Sequence, residues 1–193
     1  LSQSYNNYEI IIVYNDRDTQ DLYYLREIEK KDKRIKVFKD STKLGAGYSR
    51  NAAIKKSKGQ FIAFLDSDDE WKKNKLQTQL NFMNKNFCLI SHTSYEIINN
   101  KNKVIGYRKA KKSLLYADLL KSCDIGLSTV MLKKKILFNQ KFPNIKTKED
   151  YVLWLKLTKK NIKISGINIR LTKWRKLTDA LSSNNIQKIT DGF

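Results

Sequence analysis

Three acidic residues, Asp66, Asp68 and Asp69, stand within four positions, directly after an apolar run at residues 61–65. Carboxylates this close together repel one another and raise each other's pKa, so a cation or a hydrogen-bond network normally holds such a cluster. Divalent cations prefer carboxylate oxygens, and open α/β sheets bind ligands beyond the carboxyl ends of their strands. The cluster therefore predicts a site for Mg²⁺ or Mn²⁺ that serves a phosphate-bearing substrate. The competing interpretation is that Asp66 or Asp69 caps a following helix.

A second acidic pair, Glu149 and Asp150, precedes a segment whose apolar residues recur at helical spacing. Both acids should then lie in the first turn of a helix, where the helix dipole stabilises an ionised carboxylate. A carboxylate that is ionised at neutral pH can act as a general base. Acids at a helix N-terminus are also common without any catalytic role, and the pair alone does not distinguish the two interpretations.

Arg50 and Asn51 follow two glycines, Gly45 and Gly47, at the start of another predicted helix. Glycines permit close approach of the backbone to a ligand, and a guanidinium recognises phosphate through paired hydrogen bonds that lysine cannot make. The predicted helix that carries Arg50 and Asn51 leads directly into the strand that ends at the acid cluster. This position favours a contact of Arg50 and Asn51 with the same substrate. A surface arginine on a helix after a glycine-rich loop is the alternative.

Hydrophobic periodicity predicts strands and helices that alternate over most of the chain. Strands are predicted at residues 9–13, 35–38, 61–65, 87–98, 104–107, 129–132 and 162–173, and helices at residues 21–30, 47–57, 73–84, 115–120 and 148–158. This alternation indicates a parallel sheet with helical crossovers and with the strand-to-helix loops at one edge. We expect the acid cluster at that edge. The half of the chain after residue 84 should be more antiparallel.

The chain has 193 residues, one proline and seven glycines, and its length and lack of a visible linker predict a single domain. Its net charge of +20 is compatible with a polyanion or an anionic membrane as partner, although an AT-rich genome would produce the same lysine bias without any ligand. No clustered aromatic and basic stripe supports nucleic-acid binding. Two separated cysteines indicate neither a disulfide framework nor a zinc site, which suits a reducing cytoplasm.

Four motifs follow one another along the chain, at residues 43–53, 58–71, 128–131 and 149–154. In this order and at this spacing they resemble the inverting family-2 glycosyltransferases, which carry a nucleotide-sugar-binding GT-A fold. The resemblance extends from about residue 8 to about residue 184. It implies an α/β domain with a mostly parallel central sheet and a smaller antiparallel part. It further implies that residues 1–8 are the end of a first helix and that the first strand is missing, as in an N-terminally truncated domain.

The resemblance also implies roles for single residues. Asp68 would bind the metal, and Asp66 would contact the metal or the nucleotide ribose. Asp150 would be the catalytic base, with Glu149 as an orienting or acceptor contact. The residues implied to contact the donor are Asn15, Asp16, Arg50, Asn51, Asp66, Ser67 and Arg175.

One motif departs from the family pattern. Family members usually carry two acids where this chain has Tyr14 and Asn15. Recognition of the nucleotide base would therefore fall to Asn15 or to Asp16. The spacing Asp16-x-Asp18 imitates a metal motif, but it is typical of a turn.

The function implied by the resemblance is transfer of a sugar, with inversion, from a UDP-sugar to a glycan in surface polysaccharide or lipooligosaccharide synthesis. Residues 1–110 would bind the nucleotide-sugar donor and residues 111–193 the acceptor. A lipid-linked acceptor would place the enzyme in the cytoplasm, with peripheral contact at the inner face of the membrane and no nucleic-acid partner. The alternatives are an inactive fragment, a remnant that binds a glycan or a nucleotide, and, less favoured, a basic nucleic-acid-binding protein.

Overall fold

The computed structural model describes residues 1–16, 18–40 and 45–177. The helices are α1 (Gln20–Lys31), α2 (Ala46–Lys56), α3 (Lys75–Lys85), α4 (Tyr116–Lys121) and α5 (Glu149–Lys159), with 3₁₀ turns at Leu127–Thr129 and Lys134–Leu137. None of the helices in these ranges has the length and the hydropathy needed to cross a bilayer.

The strands are β1 (Ile10–Tyr14), β2 (Ile35–Lys39), β3 (Phe61–Ala63), β4 (Glu70–Trp71), β5 (Ile90–Ile98), β6 (Val104–Arg108), β7 (Ser113–Leu114), β8 (Met131–Lys133) and β9 (Ile164–Arg175). Every predicted strand and helix is present, with ends displaced by three residues at most. The sequence did not reveal β4 and β7, because two residues carry no periodicity. The part of the family resemblance beyond residue 177 lies outside the described residues.

Residues 1–9 contain no helix, so the expectation of a helix end in this segment is wrong. Instead, the Ser4 N–H donates to the Lys73 carbonyl (2.8 Å). The side-chain amide of Gln3 donates to the Lys72 carbonyl (2.9 Å) and accepts from the Leu76 N–H (3.1 Å). The polar side chains of this segment compete with helical hydrogen bonds. Gln3 thereby caps the N-terminus of α3.

The strands form two sheets, and most neighbours in the larger sheet are antiparallel. β1 and β2 form a parallel pair. The other strands form a mixed sheet in the order β3-β8-β5-β9-β4, with β6 paired to β5 and β7 paired to β9. Among the described residues, β5 and β9 are the only hydrogen-bonded neighbours in that sheet that pair in parallel. The expectation of a mostly parallel central sheet is therefore wrong.

The connections explain the strand directions. Parallel neighbours need a crossover, whereas antiparallel neighbours need only a turn. A short turn joins β5 to β6, in which the Asn99 N–H donates to the Lys103 carbonyl (3.0 Å). β8 follows a 3₁₀ turn and inserts antiparallel between β3 and β5. The hydrophobic pattern of a strand does not encode its direction, so the sequence could not distinguish these pairings.

The larger hydrophobic core lies between the mixed sheet and α5, with Leu153, Trp154 and Leu157 of the helix fully buried. Phe64, the residue directly after β3, packs edge-on against Phe142 with ring centroids 5.4 Å apart, and its ring lies 6.5 Å from that of Trp154. This aromatic cluster anchors the chain two residues before the acidic residues begin.

An open cavity of about 680 Å³ separates β1 from β3. Its lining includes Ile11 on β1 and the whole of β3, and it extends to Arg50 and Asp66. In the described part of the chain β1 pairs only with β2 and β3 only with β8, so each strand keeps one unpaired edge. The cavity connects these edges to the acidic residues.

Candidate active site

The acidic loop, residues 66–69, turns sharply between β3 and β4. The Asp69 N–H donates to the Asp66 carbonyl (3.1 Å), and the Asp66 N–H donates to Ser128 Oγ (3.0 Å). The Asp69 carboxylate accepts the Arg175 N–H from the end of β9 (2.8 Å). Because the residues after the loop enter β4 and pair with β9, neither Asp66 nor Asp69 caps a helix. The structure thus excludes the capping interpretation.

The carboxylates of the loop have different environments. Asp69 is buried, and burial, together with the charges of Asp66 and Asp68, raises its pKa to about 6. The Asp68 carboxylate forms no hydrogen bond or ion pair with any described residue, and Ser67 beside it is exposed. Asp68 is therefore the carboxylate of the loop that remains available to a ligand.

Arg50 on α2 joins the two acidic motifs. Its Nη2 donates to Asp66 Oδ1 (2.8 Å), and its Nη1 donates to Glu149 Oε1 at the start of α5. The guanidinium is only 19% exposed. Burial by itself would lower the pKa of Arg50, but the two carboxylates outweigh burial and raise the pKa above its usual value. Three residues singled out from the sequence therefore meet in one hydrogen-bonded group.

A clamp between α2 and the segment before α5 supports the Arg50 group. The Asn51 side-chain amide donates to the Phe142 carbonyl (2.8 Å), and its oxygen accepts the Phe142 N–H (3.0 Å). The Phe142 ring lies 5.6 Å from the Arg50 guanidinium. Both polar groups of the Asn51 side chain are used in this clamp, and a contact of Asn51 with a donor stays a prediction.

Gly47 permits the close approach of these segments. A Cβ at this position would lie 2.8 Å from the Pro143 carbonyl oxygen and 3.3 Å from Glu149 Cγ. We expect Gly47→Ala to lower stability by about 1–2 kcal/mol, because overpacking against a backbone atom outweighs the gain of about 1 kcal/mol from better helix propensity. Calorimetry should detect a fall in Tm of roughly 3–6 °C.

The matched control is Gly106→Ala, since a Cβ at Gly106 has no neighbour closer than 3.6 Å. Equal melting temperatures for the two variants would contradict the packing argument. Gly47→Ala should also weaken binding of a nucleotide-sugar, because it displaces the Glu149 side of the Arg50 group.

Asp150 lies beside Glu149 in the first turn of α5 and is partly exposed. Burial raises its pKa to about 6, the Glu149 and Asp66 charges act in the same direction, and the Tyr151 N–H and Arg50 oppose them. At neutral pH the carboxylate is mostly ionised, yet it is more basic than an ordinary aspartate. This combination suits a group that accepts a proton from a hydroxyl.

Arg175 holds the acidic loop from the opposite side. Besides its backbone contact with Asp69, its Nε donates to the Asp68 carbonyl (2.9 Å). Its Nη1 donates to the Asn99 carbonyl (3.0 Å), and its Nη2 donates to Glu70 Oε1 (3.1 Å). These contacts position the loop. A direct contact between Arg175 and a diphosphate stays a prediction.

Asn15 and Asp16 follow β1 at the far side of the cleft. Asp16 Oδ1 accepts the Asp18 N–H (3.2 Å), a local hydrogen bond of the kind that Asp side chains make to the backbone two residues on. Asn15 is partly exposed at the end of the strand. The predicted contact of Asn15 or Asp16 with a nucleotide base stays a prediction.

Asp40 was missed in the sequence reasoning, although it follows a predicted strand. Its N–H donates to the Tyr14 carbonyl (2.9 Å), and its carboxylate accepts the Tyr48 hydroxyl (3.1 Å). The carboxyl ends of β1 and β2 therefore meet the start of α2. An acid directly after a strand was the signal that could have identified it.

Ser128 was visible only as part of a motif, and its role depends on tertiary contacts. Its hydroxyl accepts the Asp66 N–H, while its carbonyl accepts Trp71 Nε1 (2.7 Å) and the Thr172 hydroxyl (3.3 Å). Lys75, fully buried, places its ammonium 3.9 Å from the Trp71 ring centroid, and burial lowers its pKa to about 7. This group forms the floor under the acidic loop.

The carboxylates present fit a metal that is shared with a substrate. Among the described residues, no three acidic, His or Cys side chains are grouped closely enough to hold a metal ion by themselves. Mg²⁺, however, is usually bound through one or two carboxylates together with substrate phosphates. Asp68 and Asp66 can supply those ligands, and Arg50 beside them adds a positive charge.

Residues 1–149 match the model of the family described as Glycosyl transferase family 2. The chain is 40% identical over 191 residues to UDP-Glc:alpha-D-GlcNAc-diphosphoundecaprenol beta-1,3-glucosyltransferase WfgD of Escherichia coli, covering 98% of this chain and 74% of that protein. It is 38% identical over 187 residues to the putative teichuronic acid biosynthesis glycosyltransferase TuaG of Bacillus subtilis (strain 168), covering 95% of this chain and 73% of that protein.

The fold is similar to solved structures of S. aureus TarS. The TarS 1–349 complex with UDP superimposes with a TM-score of 0.72 at 21% identity, covering 92% of this chain and 54% of that chain. The complex with UDP-GlcNAc gives a TM-score of 0.73 at 20% identity, covering 95% of this chain and 54% of that chain. This chain therefore spans about half the length of the solved TarS fragment.

Proposed function

Because the chain belongs to glycosyl transferase family 2, we propose that it transfers a sugar, with inversion, from a UDP-sugar to a glycan acceptor in bacterial surface polysaccharide synthesis. The observation that carries this proposal is the Arg50 bridge between Asp66 and Glu149. This bridge brings the acidic loop, which could bind a metal–diphosphate group, next to Asp150, which could act as the general base. A donor and an acceptor hydroxyl can meet between them.

In the proposed reaction Asp150 accepts the proton of the acceptor hydroxyl as its oxygen attacks the anomeric carbon. The new carbon–oxygen bond forms on the face opposite the bond to phosphate. That bond breaks, and UDP leaves with the electron pair. Glu149, held by Arg50, keeps the first turn of α5 oriented so that Asp150 faces the acceptor. Desolvation around Asp150 makes it a stronger base.

We propose Asp68 and Asp66 as the ligands of Mg²⁺ or Mn²⁺. The bound ion would neutralise part of the negative charge that develops on the diphosphate. Asp68 supports this assignment because its carboxylate lacks a partner in the described part of the chain. Asp69 is turned away to Arg175 and serves the geometry of the loop.

The remaining donor contacts are proposed at the two ends of the cleft. Arg50 and Ser67 would lie beside the diphosphate, while Asn15 or Asp16 would contact the base. Asn51 and Arg175 would act on the donor mainly by holding Phe142 and the acidic loop. We retain residues 1–110 as the donor half and residues 111–193 as the acceptor half.

The substrates are proposed from the relatives. The Escherichia coli relative is named as a transferase from UDP-glucose to a diphosphoundecaprenol-linked GlcNAc, and 40% identity over nearly the whole chain supports a related donor and a lipid-linked acceptor. We accordingly propose a cytoplasmic enzyme that contacts the inner face of the membrane peripherally.

An inactive remnant is the second candidate. The open cavity between β1 and β3, with an unpaired edge on each strand in the described residues, supports this candidate. An open edge of this kind would lower stability and leave the donor cleft incomplete. The remnant would keep nucleotide binding but lose sugar transfer.

A donor panel tests the proposed function. The chain is incubated with Mn²⁺, a GlcNAc-diphospho-lipid acceptor and UDP-glucose, UDP-GlcNAc or GDP-mannose, and release of the nucleotide is measured. We expect acceptor-dependent release of UDP from one UDP-sugar and none from GDP-mannose. Binding of UDP without release from any donor would favour the remnant, and absence of both would reject the proposed function.

A further inference from the structure

A basic edge runs along β6 and the segment that follows it. We define the basic edge as residues 101–112, which contain no acid and expose every one of their basic side chains. These are Lys101, Lys103, Arg108, Lys109, Lys111 and Lys112. Within the described residues β6 pairs only with β5, so its other side is an open sheet edge.

Large apolar side chains lie exposed among these charges. Val104 is 49%, Ile105 51% and Tyr107 64% exposed, and Ile169 on β9 is 49% exposed. The Arg170 guanidinium lies 5.6 Å from the Tyr107 ring centroid, so the surface continues from β6 to β9. Lysines alone can protect a sheet edge from unwanted pairing, and exposed apolar side chains would defeat that protection. The mixture fits a partner that is both anionic and apolar.

Acids near the basic edge do not neutralise it. Glu96 lies opposite Tyr107 in the β5–β6 register, but its carboxylate binds Lys72 (2.7 Å). Glu70 on β4 binds Lys173 (2.9 Å) and Arg175. Each of these two acids is already paired with a cation outside the basic edge. Asp124 lies near Arg108, since both act on the pKa of Tyr95, but the six basic side chains leave the edge positive.

We propose that the basic edge is a docking surface for an anionic phospholipid bilayer. Its lysines and arginines would lie at the level of the headgroups, while Val104, Ile105 and Tyr107 would enter the interface. Basic side chains close to an anionic leaflet are attracted to it, and aromatic and aliphatic side chains among them add apolar burial. An RNA would use the charge but would leave Val104 and Ile105 without a function.

The basic edge is continuous with the candidate active site. Arg108 lies opposite Tyr95 in the β5–β6 register, and the Tyr95 ring packs against Trp174 with centroids 6.4 Å apart. Trp174 directly precedes Arg175, which holds the acidic loop. A bilayer on this surface would present a lipid-borne acceptor at the cleft, an implication that rests on the proposed function, whereas the bilayer contact itself does not.

Vesicle sedimentation tests the docking surface. The chain is mixed either with pure phosphatidylcholine vesicles or with phosphatidylcholine vesicles that contain about 30% phosphatidylglycerol, and the bound fraction is measured. We expect binding only to the anionic vesicles. The triple change Lys101→Gln, Lys103→Gln and Lys109→Gln should weaken binding about 100-fold, on a scale of roughly fivefold per basic residue at an anionic surface.

The matched control removes the same charge elsewhere, by Lys30→Gln, Lys31→Gln and Lys33→Gln at the end of α1, and should weaken binding only a few-fold. The double change Ile105→Ser and Tyr107→Ser keeps every charge and should weaken binding about tenfold. UDP affinity should be unchanged in all three variants, and the melting temperature should change little, because the altered side chains are exposed and their contacts, such as the Lys30–Glu27 ion pair and the Arg170 contact of Tyr107, lie at the surface.

If the two triple lysine variants lost vesicle binding to the same extent, the proposal would be overturned, because the attraction would then depend on the total charge of the chain and not on the basic edge. The proposal would also be overturned if the chain bound a polyuridine RNA as tightly as it binds vesicles and the Ile105 and Tyr107 change affected neither interaction. The surface would then be a nucleic-acid-binding surface. Vesicle binding by a chain that transfers no sugar would support the docking surface and reject only the proposed function.

Discussion

Changing Asp150 to Asn is expected to lower kcat by about 100-fold or more and to leave donor affinity nearly unchanged. The carboxylate is partly exposed at the start of α5, and Arg50 links its neighbour Glu149 to the acidic loop. The change removes the group that accepts the proton and preserves the shape of the site. Steady-state kinetics with UDP release, combined with calorimetric titration of UDP, measures both quantities.

The raised pKa of Asp150 provides two further tests, one on the variant and one on the unchanged chain. The folded-state pKa of about 6 lies above the ordinary value, so ionisation of this carboxylate destabilises the fold as the pH rises through that range. Asp150→Asn should therefore have an equal or higher Tm at pH 7. For the unchanged chain kcat/KM should fall about tenfold per pH unit below about pH 6, since protonated Asp150 cannot act as base.

The control for this experiment is Asp21→Asn, which changes an exposed acid in the first turn of α1 and should leave kcat unaltered. If Asp150→Asn instead abolishes UDP binding, Asp150 is a binding or structural residue. The proposed mechanism would then be wrong.

Changing Asp68 to Asn is expected to remove most of the dependence of UDP affinity on a divalent ion. In the unchanged chain, UDP affinity with Mn²⁺ should be at least tenfold higher than UDP affinity with EDTA. In the variant, UDP affinity with Mn²⁺ should fall at least tenfold, which is the usual effect of altering a metal site. The physical reason is that Asp68 is the loop carboxylate without a partner among the described residues. Calorimetric titrations of UDP with Mn²⁺ and with EDTA provide the comparison.

Asp69→Asn is the matched control, because it alters the adjacent acid by the same chemistry. Asp69 is buried and accepts the Arg175 N–H, so its loss should loosen the loop and reduce metal-dependent affinity less than Asp68→Asn does. Equal UDP affinity with Mn²⁺ and with EDTA in the unchanged chain would refute the metal assignment for both Asp68 and Asp66.

The sequence located the helices and the longer strands well, because these elements depend on local pattern. Hydrophobic periodicity identified all the helices in the described ranges, including α5 with Glu149 and Asp150 in its first turn. The position of the acid cluster directly after an apolar strand predicts a ligand site, and that site stays a prediction. The order of the motifs was enough to indicate the family, which residues 1–149 confirm.

Local pattern was insufficient wherever a side chain had a choice of distant partners. Asn51 and Arg175 were candidates for donor contacts, but in the fold they bind backbone groups of Phe142, Asp68 and Asn99. Nothing in their immediate sequence distinguishes a ligand contact from a backbone contact.

What the sequence determined by itself is therefore the helices, all the strands except β4 and β7, the acidic cluster after β3, the acid pair on α5 and the enzyme family. Tertiary structure alone decided the antiparallel pairings of the mixed sheet, the Arg50 bridge from Asp66 to Glu149, and the floor of Ser128 and Trp71 under the loop. The physical reason is the separation along the sequence over which each interaction acts. Periodicity and capping act over a few residues, whereas strand direction and buried hydrogen-bond partners are selected among groups up to 107 residues apart.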